Sequence, residues 1–212
     1  MFFFFLTLIA FAEGACRNGS VINSGINCSQ KKIILDVHNE LRQLVAKGEA
    51  ALPPAEDMLE MRWSEEAAKT AQILADRCVF QHDTQIGGLL VGQNLAKIWT
   101  RGKVNRGKLL TRMMGLWKEE SSEYVLGEIN PGTGHYSQMI WGSSGYVGCG
   151  HIEFKEKGYV NNILVCNYLP PGNWIGEKPY TPGKVNCTKH NKVQSLKYSN
   201  LCAPDTNKID VC

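Results

Sequence analysis

The chain has 212 residues, enough for one generous domain with a full-sized core, or for one domain with a small appendage. Charged residues make up 20% of the chain and apolar residues 43%, an ordinary globular mixture that excludes disordered and fibrous proteins. The formal net charge of +3 is modest for this size, so a nucleic-acid-binding protein is not indicated.

An apolar run at the amino terminus predicts an export signal. Residues 2–12 are apolar except for Thr7, and the run is shorter than the ~20 apolar residues that span a bilayer. Ala12 and Gly14 provide small residues at the −3 and −1 positions of a cleavage before Ala15. We therefore interpret residues 1–14 as a signal peptide and expect a secreted protein without a transmembrane segment.

The cysteine count supports the same compartment. All eight cysteines follow the predicted cleavage, and an even number in an exported chain indicates four disulfides. No two cysteines form a CxxC pair, so a zinc ribbon or a thioredoxin-like site has little support. The cysteines are Cys16, Cys28, Cys78, Cys149, Cys166, Cys187, Cys202 and Cys212.

Three N-x-Ser/Thr sequons make the chain a candidate glycoprotein. Those at Asn27 and Asn186 carry cysteine in the middle position, where disulfide formation competes with glycan attachment. Asn18 is therefore the best candidate of the three, and an unused sequon is the alternative at each.

Helical periodicity predicts two helices in the first part of the chain. Apolar residues recur at helical spacing between Ser29, placed as an N-cap, and Gly48, placed as the stop. Ser64 then caps a second helix with an acidic first turn, and its alanines allow close packing.

A third helix is predicted from Leu109 to Tyr124, with a stripe of Leu110, Met113, Met114 and Trp117 that is typical of core packing. A basic cluster precedes and enters it. We interpret this cluster as a solvated loop that enters a helix, with an anion- or receptor-binding patch as the alternative. The cluster consists of Arg101, Lys103, Arg106, Lys108 and Arg112.

From Ser137 onwards the pattern favours strands. We expect β-structure at Gln138-Met-Ile-Trp, Tyr146-Val-Gly-Cys-Gly-His-Ile-Glu-Phe and Asn162-Ile-Leu-Val-Cys-Asn-Tyr, and hence an antiparallel sheet covered by the earlier helices. After Tyr168, Pro- and Gly-rich turns end the regular structure, and the polar tail needs its three cysteines to hold a shape.

Eight ordered motifs resemble the motif series of the CAP superfamily, which comprises cysteine-rich secretory, antigen 5 and pathogenesis-related proteins. Gly-Gln-Asn in place of Gly-Glu-Asn makes the chain most similar to arthropod antigen 5 and its venom relatives. The motifs are His38-Asn-Glu-Leu-Arg, Met58-Leu-Glu-Met-Arg-Trp, Cys78-Val-Phe-Gln-His-Asp, Gly92-Gln-Asn-Leu, Trp117-Lys-Glu-Glu, Gly134-His-Tyr-Ser-Gln-Met-Ile-Trp, Val147-Gly-Cys-Gly and Val165-Cys-Asn-Tyr.

The resemblance implies an α+β fold, a three-layer α-β-α sandwich over residues 29–176. A disulfide-linked segment, residues 15–28, would precede it, and a short disulfide-stapled extension, residues 177–212, would follow. The resemblance also suggests the pairs Cys28–Cys78 and Cys149–Cys166. We assign Cys187–Cys202 and Cys16–Cys212 only as guesses, because sequence alone leaves the pairing of eight cysteines open.

The family's central cleft, lined by two histidines and two acidic residues, carries over to His82, His135 and Glu120, with Gln93 where the second acid would stand. Two imidazoles and a carboxylate suit zinc or a similar divalent cation, but the missing charge predicts weak binding. The alternative is that these side chains only hydrogen-bond one another inside a polar cleft. We therefore expect no required cofactor, with zinc as the possibility to test.

Three functions remain open. The first is a secreted venom or salivary allergen-like protein that binds a host protein or a lipid or sterol, as a monomer and without catalysis. The second is a metal-dependent hydrolase that uses the His82, His135 and Glu120 cleft. Ser137, two residues past His135, also raises a Ser-His-Glu hydrolase, although no nucleophile elbow or oxyanion loop is visible. The third is an ion-channel toxin, although the compact cysteine-dense module of that branch is missing.

Overall fold

The computed structural model describes residue 16, residues 19–204 and residue 212 of the chain. The signal peptide predicted for residues 1–14 and the sequon at Asn18 lie outside the described residues. Four helices occur in the described part: α1 (Cys28–Lys47), α2 (Glu65–Ala75), α3 (Arg106–Glu119) and α4 (Gly134–Met139). The strands are β1 (Ser20–Ser24), β2 (Arg62–Trp63), β3 (Gly92–Thr100), β4 (Tyr146–Glu156), β5 (Tyr159–Leu169), β6 (Val193–Gln194) and β7 (Cys202–Ala203).

The main sheet is built around the β4–β5 hairpin. Its order is β1-β4-β5-β3, antiparallel throughout, and the short β2 lies parallel to β4. Lys157 and Gly158 connect β4 to β5 with φ values of 51° and 82°, the left-handed conformation that tight hairpins require. The two long strands expected from the β-rich pattern are thereby confirmed, whereas β1 and β3 were not predicted.

Helix α2 lies directly on one face of the sheet. A Cβ atom added at Gly148 would lie 2.1 Å from the backbone nitrogen of Ala68, and one at Gly150 would lie 2.4 Å from Cα of Gln72. Only glycine allows this approach, and the alanines of α2 complete it because Ala67 and Ala71 are fully buried. The close packing predicted for this helix is confirmed.

The opposite face of the sheet is covered by α1, α3 and α4, which share the larger apolar core with it. The molecule is therefore the expected three-layer α-β-α sandwich. The stripe on α3 belongs to this core, since Leu110, Met113, Met114 and Trp117 are each at most 2% exposed. Core packing is confirmed for the stripe, so it does not border a surface slot for a lipid.

The helix boundaries follow their capping residues. Helix α1 begins two residues earlier than predicted, because the side chain of Asn27, not that of Ser29, accepts a hydrogen bond from the Gln30 backbone nitrogen. Gly48 ends it in the left-handed conformation, and Ser64 caps α2, both as predicted. Asn105 caps α3, so this helix begins and ends earlier than the predicted span of residues 109–124.

The prediction of a strand at Gln138-Met-Ile-Trp is wrong, because these residues lie at the end of helix α4 and in the turn after it. Thr133, which precedes α4, makes no side-chain cap. Instead the carboxylate of Glu120, distant in sequence, accepts hydrogen bonds from the first backbone N–H groups of the helix. A four-residue apolar run cannot reveal a cap of that kind.

Two of the four expected disulfides are confirmed, namely Cys149–Cys166 and Cys187–Cys202. The other two pairings were wrong, since the structure joins Cys16 to Cys78 and Cys28 to Cys212. Cys16 lies in the apolar cluster between α2 and the sheet, where Cys78 follows α2. Cys28 is instead the first residue of α1, where it bonds to Cys212.

The carboxy-terminal extension is held against the sandwich by backbone and ionic contacts. The backbone nitrogen of Cys202 donates to the carbonyl of Met58, and the Lys189 ammonium lies 2.9 Å from the Glu56 carboxylate. Cys212 contributes the bond to Cys28. These contacts bind the extension to the sandwich instead of leaving it a separate module.

A buried arginine fixes the loops between these parts. Arg42 of α1 is fully buried, and its guanidinium donates to five backbone carbonyls at 2.7–3.1 Å. The five carbonyls belong to Leu59, Met139, Trp141, Gly142 and Ser144.

No helix among the described residues is both long and apolar enough to cross a membrane.

Candidate functional site

The first half of the candidate cleft is formed by the loop after α2 and the start of β3. Gln93 Oε1 accepts hydrogen bonds from the Asp83 backbone nitrogen at 3.1 Å and from His82 Nδ1 at 2.9 Å. Its amide nitrogen donates to the Asp83 carbonyl and to Asn167 Oδ1 of β5. Gln93 therefore ties the loop to the sheet and leaves Nε2 as the free nitrogen of His82.

The second half lies between the end of α3 and the start of α4. Glu120 Oε1 lies 2.6 Å from His135 Nδ1, and Oε2 accepts the backbone N–H groups of His135 and Tyr136 at 3.0 Å each. The imidazole also stacks on Trp117, with ring planes 8° apart and centroids 6.0 Å apart. Glu120 thus orients His135 and again leaves Nε2 free.

A buried hydrogen-bond chain connects the cleft with the core. Asn94 Nδ2 donates to the carbonyl of His135 and to the Tyr168 hydroxyl, which lies 2.9 Å from His38 Nε2. The remaining nitrogen of His38 contacts the Ile34 carbonyl. Burial lowers the pKa of His38 to about 4 and raises that of Tyr168 above its ordinary range. Both side chains are therefore neutral at physiological pH. They are linked to His135 through the side chain of Asn94.

Ser137 is not placed for hydrolysis. Its hydroxyl contacts the Gly134 carbonyl and Asn173 Oδ1, and no hydrogen bond joins it to a histidine in the described part of the chain. The residue lies on a helix instead of the expected strand, so residues 135 and 137 do not share a face. A Ser-His-Glu arrangement has no support in this geometry.

The donor set fits a divalent cation only in part. Within residues 19–204 and the two further residues described, no group of three or more His, Cys, Asp or Glu side chains could hold a metal ion. His82 and His135 each have a free Nε2, but Glu120 is occupied by three N–H groups and stands behind His135. Each histidine therefore offers one free nitrogen, and the Glu120 carboxylate is already hydrogen-bonded.

Exposed apolar side chains occur in two loops that adjoin the candidate residues. We call these side chains the cleft rim and define it as the large exposed apolar residues of the loops at residues 79–90 and 170–176. The first loop carries His82, and the second lies against the start of β3, because a Cβ added at Gly92 would lie 3.2 Å from the Gly172 nitrogen. The rim residues are Val79, Phe80, Leu90, Trp174 and Ile175, exposed by 49%, 52%, 52%, 48% and 93%.

The sequence named the four candidate cleft residues but not the side chains that hold them. Asn94, Asn167, Asn173 and Tyr168 fix the orientation of the cleft groups. Asn94, Asn167 and Tyr168 lie within quoted motifs and were available as a signal. The contact of Asn173 with Ser137 depends on the path of the loop after β5, which the sequence does not reveal.

Comparisons with known proteins agree with this architecture. The profile of the cysteine-rich secretory protein family, CAP, matches residues 35–168. The chain belongs to the CAP family. It is 39% identical over 206 residues to a salivary antigen-5 of Dipetalogaster maximus, which covers 91% of this chain and 83% of that protein. A venom allergen 5 of Vespa velutina is 36% identical over 176 residues, or 77% of this chain and 85% of that protein.

Solved CAP structures share the fold. The crystal structure of NaASP2 with Zn²⁺ superimposes with a TM-score of 0.71 at 28% identity and covers 87% of this chain and all of that one. The CAP profile spans the whole of the described cleft, from His82 and Gln93 to Glu120 and His135. The resemblance drawn from the motifs is thereby confirmed for the family and the fold.

Proposed function

We propose that the chain is an exported CAP-domain protein that acts by binding a host protein through the cleft rim, and not by catalysis. The observation that carries the proposal is the contrast between the cleft and its rim. The polar groups of the cleft hold one another, whereas large apolar side chains of the adjoining loops are exposed. Large exposed apolar side chains that lie together mark protein-binding surfaces.

The similar proteins support an action on a host. Those reported above are named for saliva and for venom, fluids that meet the tissue of another organism. Eight cysteines joined in four disulfides suit an extracellular compartment. A lipid or a sterol is the alternative ligand, but the apolar stripe on α3 is buried and cannot border a slot for it.

The test uses the full disulfide-bonded chain against an array of secreted and cell-surface host proteins. Saturable binding to an array member supports the proposal if Trp174→Ala with Ile175→Ser abolishes it. The control is Leu196→Ser, which removes a fully exposed leucine from the carboxy-terminal extension. Equal binding by the rim variant and the parent, or saturable binding of sterol alone, would overturn the proposal.

A divalent cation is a second candidate ligand of the cleft. It is favoured by the free Nε2 atoms of His82 and His135, each fixed through its Nδ1, and by the similarity to NaASP2, whose crystal structure is one with Zn²⁺. Bound zinc would supply a Lewis acid there. Calorimetry with ZnCl₂ tests this, with His135→Ala against the control His190→Ala. Unchanged binding by His135→Ala would contradict it.

A further inference from the structure

Charge is strongly segregated along this chain. Residues 84–118 contain seven lysines and arginines and no aspartate or glutamate, whereas the whole chain has 23 basic and 20 acidic residues. The segment therefore carries a charge of +7, and the rest of the chain carries −4. The modest overall charge hides a strongly basic segment, and clustered positive charge attracts polyanions.

Five of these cations form what we call the basic surface. Arg101 and Lys103 lie in the loop after β3, and Arg106, Lys108 and Arg112 lie in the first two turns of α3. Four of the five, all except Arg106, are exposed, and none of the four has an ion-pair partner among the residues that the structure describes. Like charges held close together without counter-charges repel one another, so an external anion would stabilise them.

The surface contains a shallow, open groove. A cavity of about 520 Å³ opens between α1 and α3, and Gly107 forms part of its floor. A Cβ at Gly107 would lie 2.9 Å from Cδ1 of Ile33, so a larger residue would fill this space. The cavity is lined by Ile33, Asn105, Gly107, Lys108, Thr111 and Arg112.

The groove combines three kinds of group. Ile33 provides an apolar floor, Asn105 and Thr111 add hydrogen-bonding groups, and Lys108 and Arg112 provide cations. Lys108 and Arg112 are four residues apart on α3, which places them on the same side at a rise of ~6 Å. The helix also has no acidic residue in its first turn, so its positive end adds to the field.

The loop that carries the surface is tied to its surroundings. Arg106 Nη2 donates to the Gly25 carbonyl at 2.8 Å and lies 3.2 Å from His151 Nδ1. Asn105 Oδ1 accepts the Lys108 backbone nitrogen and fixes the start of α3. The surface lies at this end of α3, whereas Glu120 follows its other end, ~20 Å away for a 14-residue helix. It is therefore separate from the cleft and its rim.

We propose that the basic surface binds a sulfated polysaccharide. A sugar ring presents an apolar C–H face to the floor at Ile33, hydroxyl groups to Asn105 and Thr111, and sulfates to the cations. Arginine and lysine bind such oxyanions with charge-assisted hydrogen bonds. A membrane is a poorer partner, because Val104 is the only large exposed apolar side chain between residues 101 and 112 to insert into lipid.

Heparin is the probe, with the full disulfide-bonded chain in calorimetric titrations at several salt concentrations. We expect saturable binding whose affinity falls linearly with the logarithm of the salt concentration, and weaker binding to chemically desulfated heparin. Lys108→Glu with Arg112→Glu should weaken binding by about a hundredfold, since two charge-assisted contacts at ~1.4 kcal/mol each are lost.

The matched control is Lys69→Glu with Lys184→Glu, which changes the net charge equally at two exposed lysines elsewhere. It should weaken binding less than threefold. Equal losses in the two double variants would show attraction by net charge alone and would overturn the proposal. So would full heparin binding by Lys108→Glu with Arg112→Glu. Tighter binding to phosphatidylserine vesicles than to heparin, lost in the same variant, would assign the surface to membranes instead.

Discussion

The carboxylate of Glu120 holds both the imidazole and the backbone of His135, through contacts of 2.6 Å and 3.0 Å. One side chain thus orients His135, the candidate metal-binding residue, and caps α4. The contact also joins the end of α3 to the start of α4, so the geometry of the cleft and the stability of the fold depend on the same carboxylate.

Replacing this carboxylate by an amide should loosen both the imidazole of His135 and the start of α4. Glu120→Gln turns an acceptor towards N–H groups into a donor, and we expect a loss of ~1–3 kcal/mol in the free energy of unfolding, measured by denaturant titration. The exposed neighbour offers the control, since Glu119→Gln should change stability by less than ~0.5 kcal/mol. Equal stability of the two variants would show that Glu120 does not cap α4.

Stability should fall between pH 6.5 and pH 5 because of two buried histidines. Burial lowers the pKa of His38 and of His151 from 6.5 to about 4. The unfolded chain therefore binds protons in this window that the folded chain does not, and stability is fully present only above pH 6.5. Each histidine should account for about 2 kcal/mol between pH 7.5 and pH 5.

The histidine contributions can be separated by substitution. His38→Gln keeps a donor and an acceptor for Ile34 and Tyr168 but removes the titration, so unfolding measured at pH 7.5, 6 and 5 should lose about half of its pH dependence. An unchanged slope would exclude His38 as a source of the acid sensitivity.

Peptide mapping of the unreduced protein should recover the two corrected disulfides. Trypsin cuts after Arg17 and thereby separates Cys16 from Cys28. We expect one linked pair of peptides that joins Cys16 to Cys78 and another that joins Cys28 to Cys212, identified by mass spectrometry before and after reduction. A peptide that links Cys28 to Cys78 would instead restore the pairing suggested by the family resemblance.

Two glycine substitutions should change the free energy of unfolding in opposite directions. Gly150→Ala places a methyl group 2.4 Å from the α2 backbone, and we expect a loss of ~3 kcal/mol or more, or failure to fold. Gly115→Ala in α3 meets nothing within 4 Å and should gain ~0.5–1 kcal/mol from helix propensity. Thermal unfolding of both variants tests the contact between α2 and the sheet, and a tolerated Gly150→Ala would contradict it.

The sequence predicted correctly those helix ends that are determined by neighbouring residues. Gly48 and Ser64 act where the sequence placed them, because capping depends on neighbouring residues. Helix α4 escaped prediction, since its cap is Glu120, and so did the five backbone partners of Arg42. The wrong disulfide predictions for Cys16 and Cys28 have the same origin. Which of these cysteines bonds to Cys78 depends on the path of residues 19–28 beside the sheet.

The candidate site divides in a similar way. The motif resemblance identified His82, Gln93, Glu120 and His135, but only the structure shows that they form two separate pairs, His82 with Gln93 and His135 with Glu120. The cleft rim was not predicted either. Exposed apolar residues in loops give no periodic signal, and their position depends on the path of the loops over the surface.

Turnover measurements test most directly the claim that the cleft binds and does not catalyse. The parent protein and His82→Ala with His135→Ala are assayed on peptide and ester panels, each with and without added ZnCl₂ and beside an active protease. We predict equal background rates for both proteins in every condition. Turnover by the parent that the double substitution abolishes would contradict the account and identify the chain as a hydrolase.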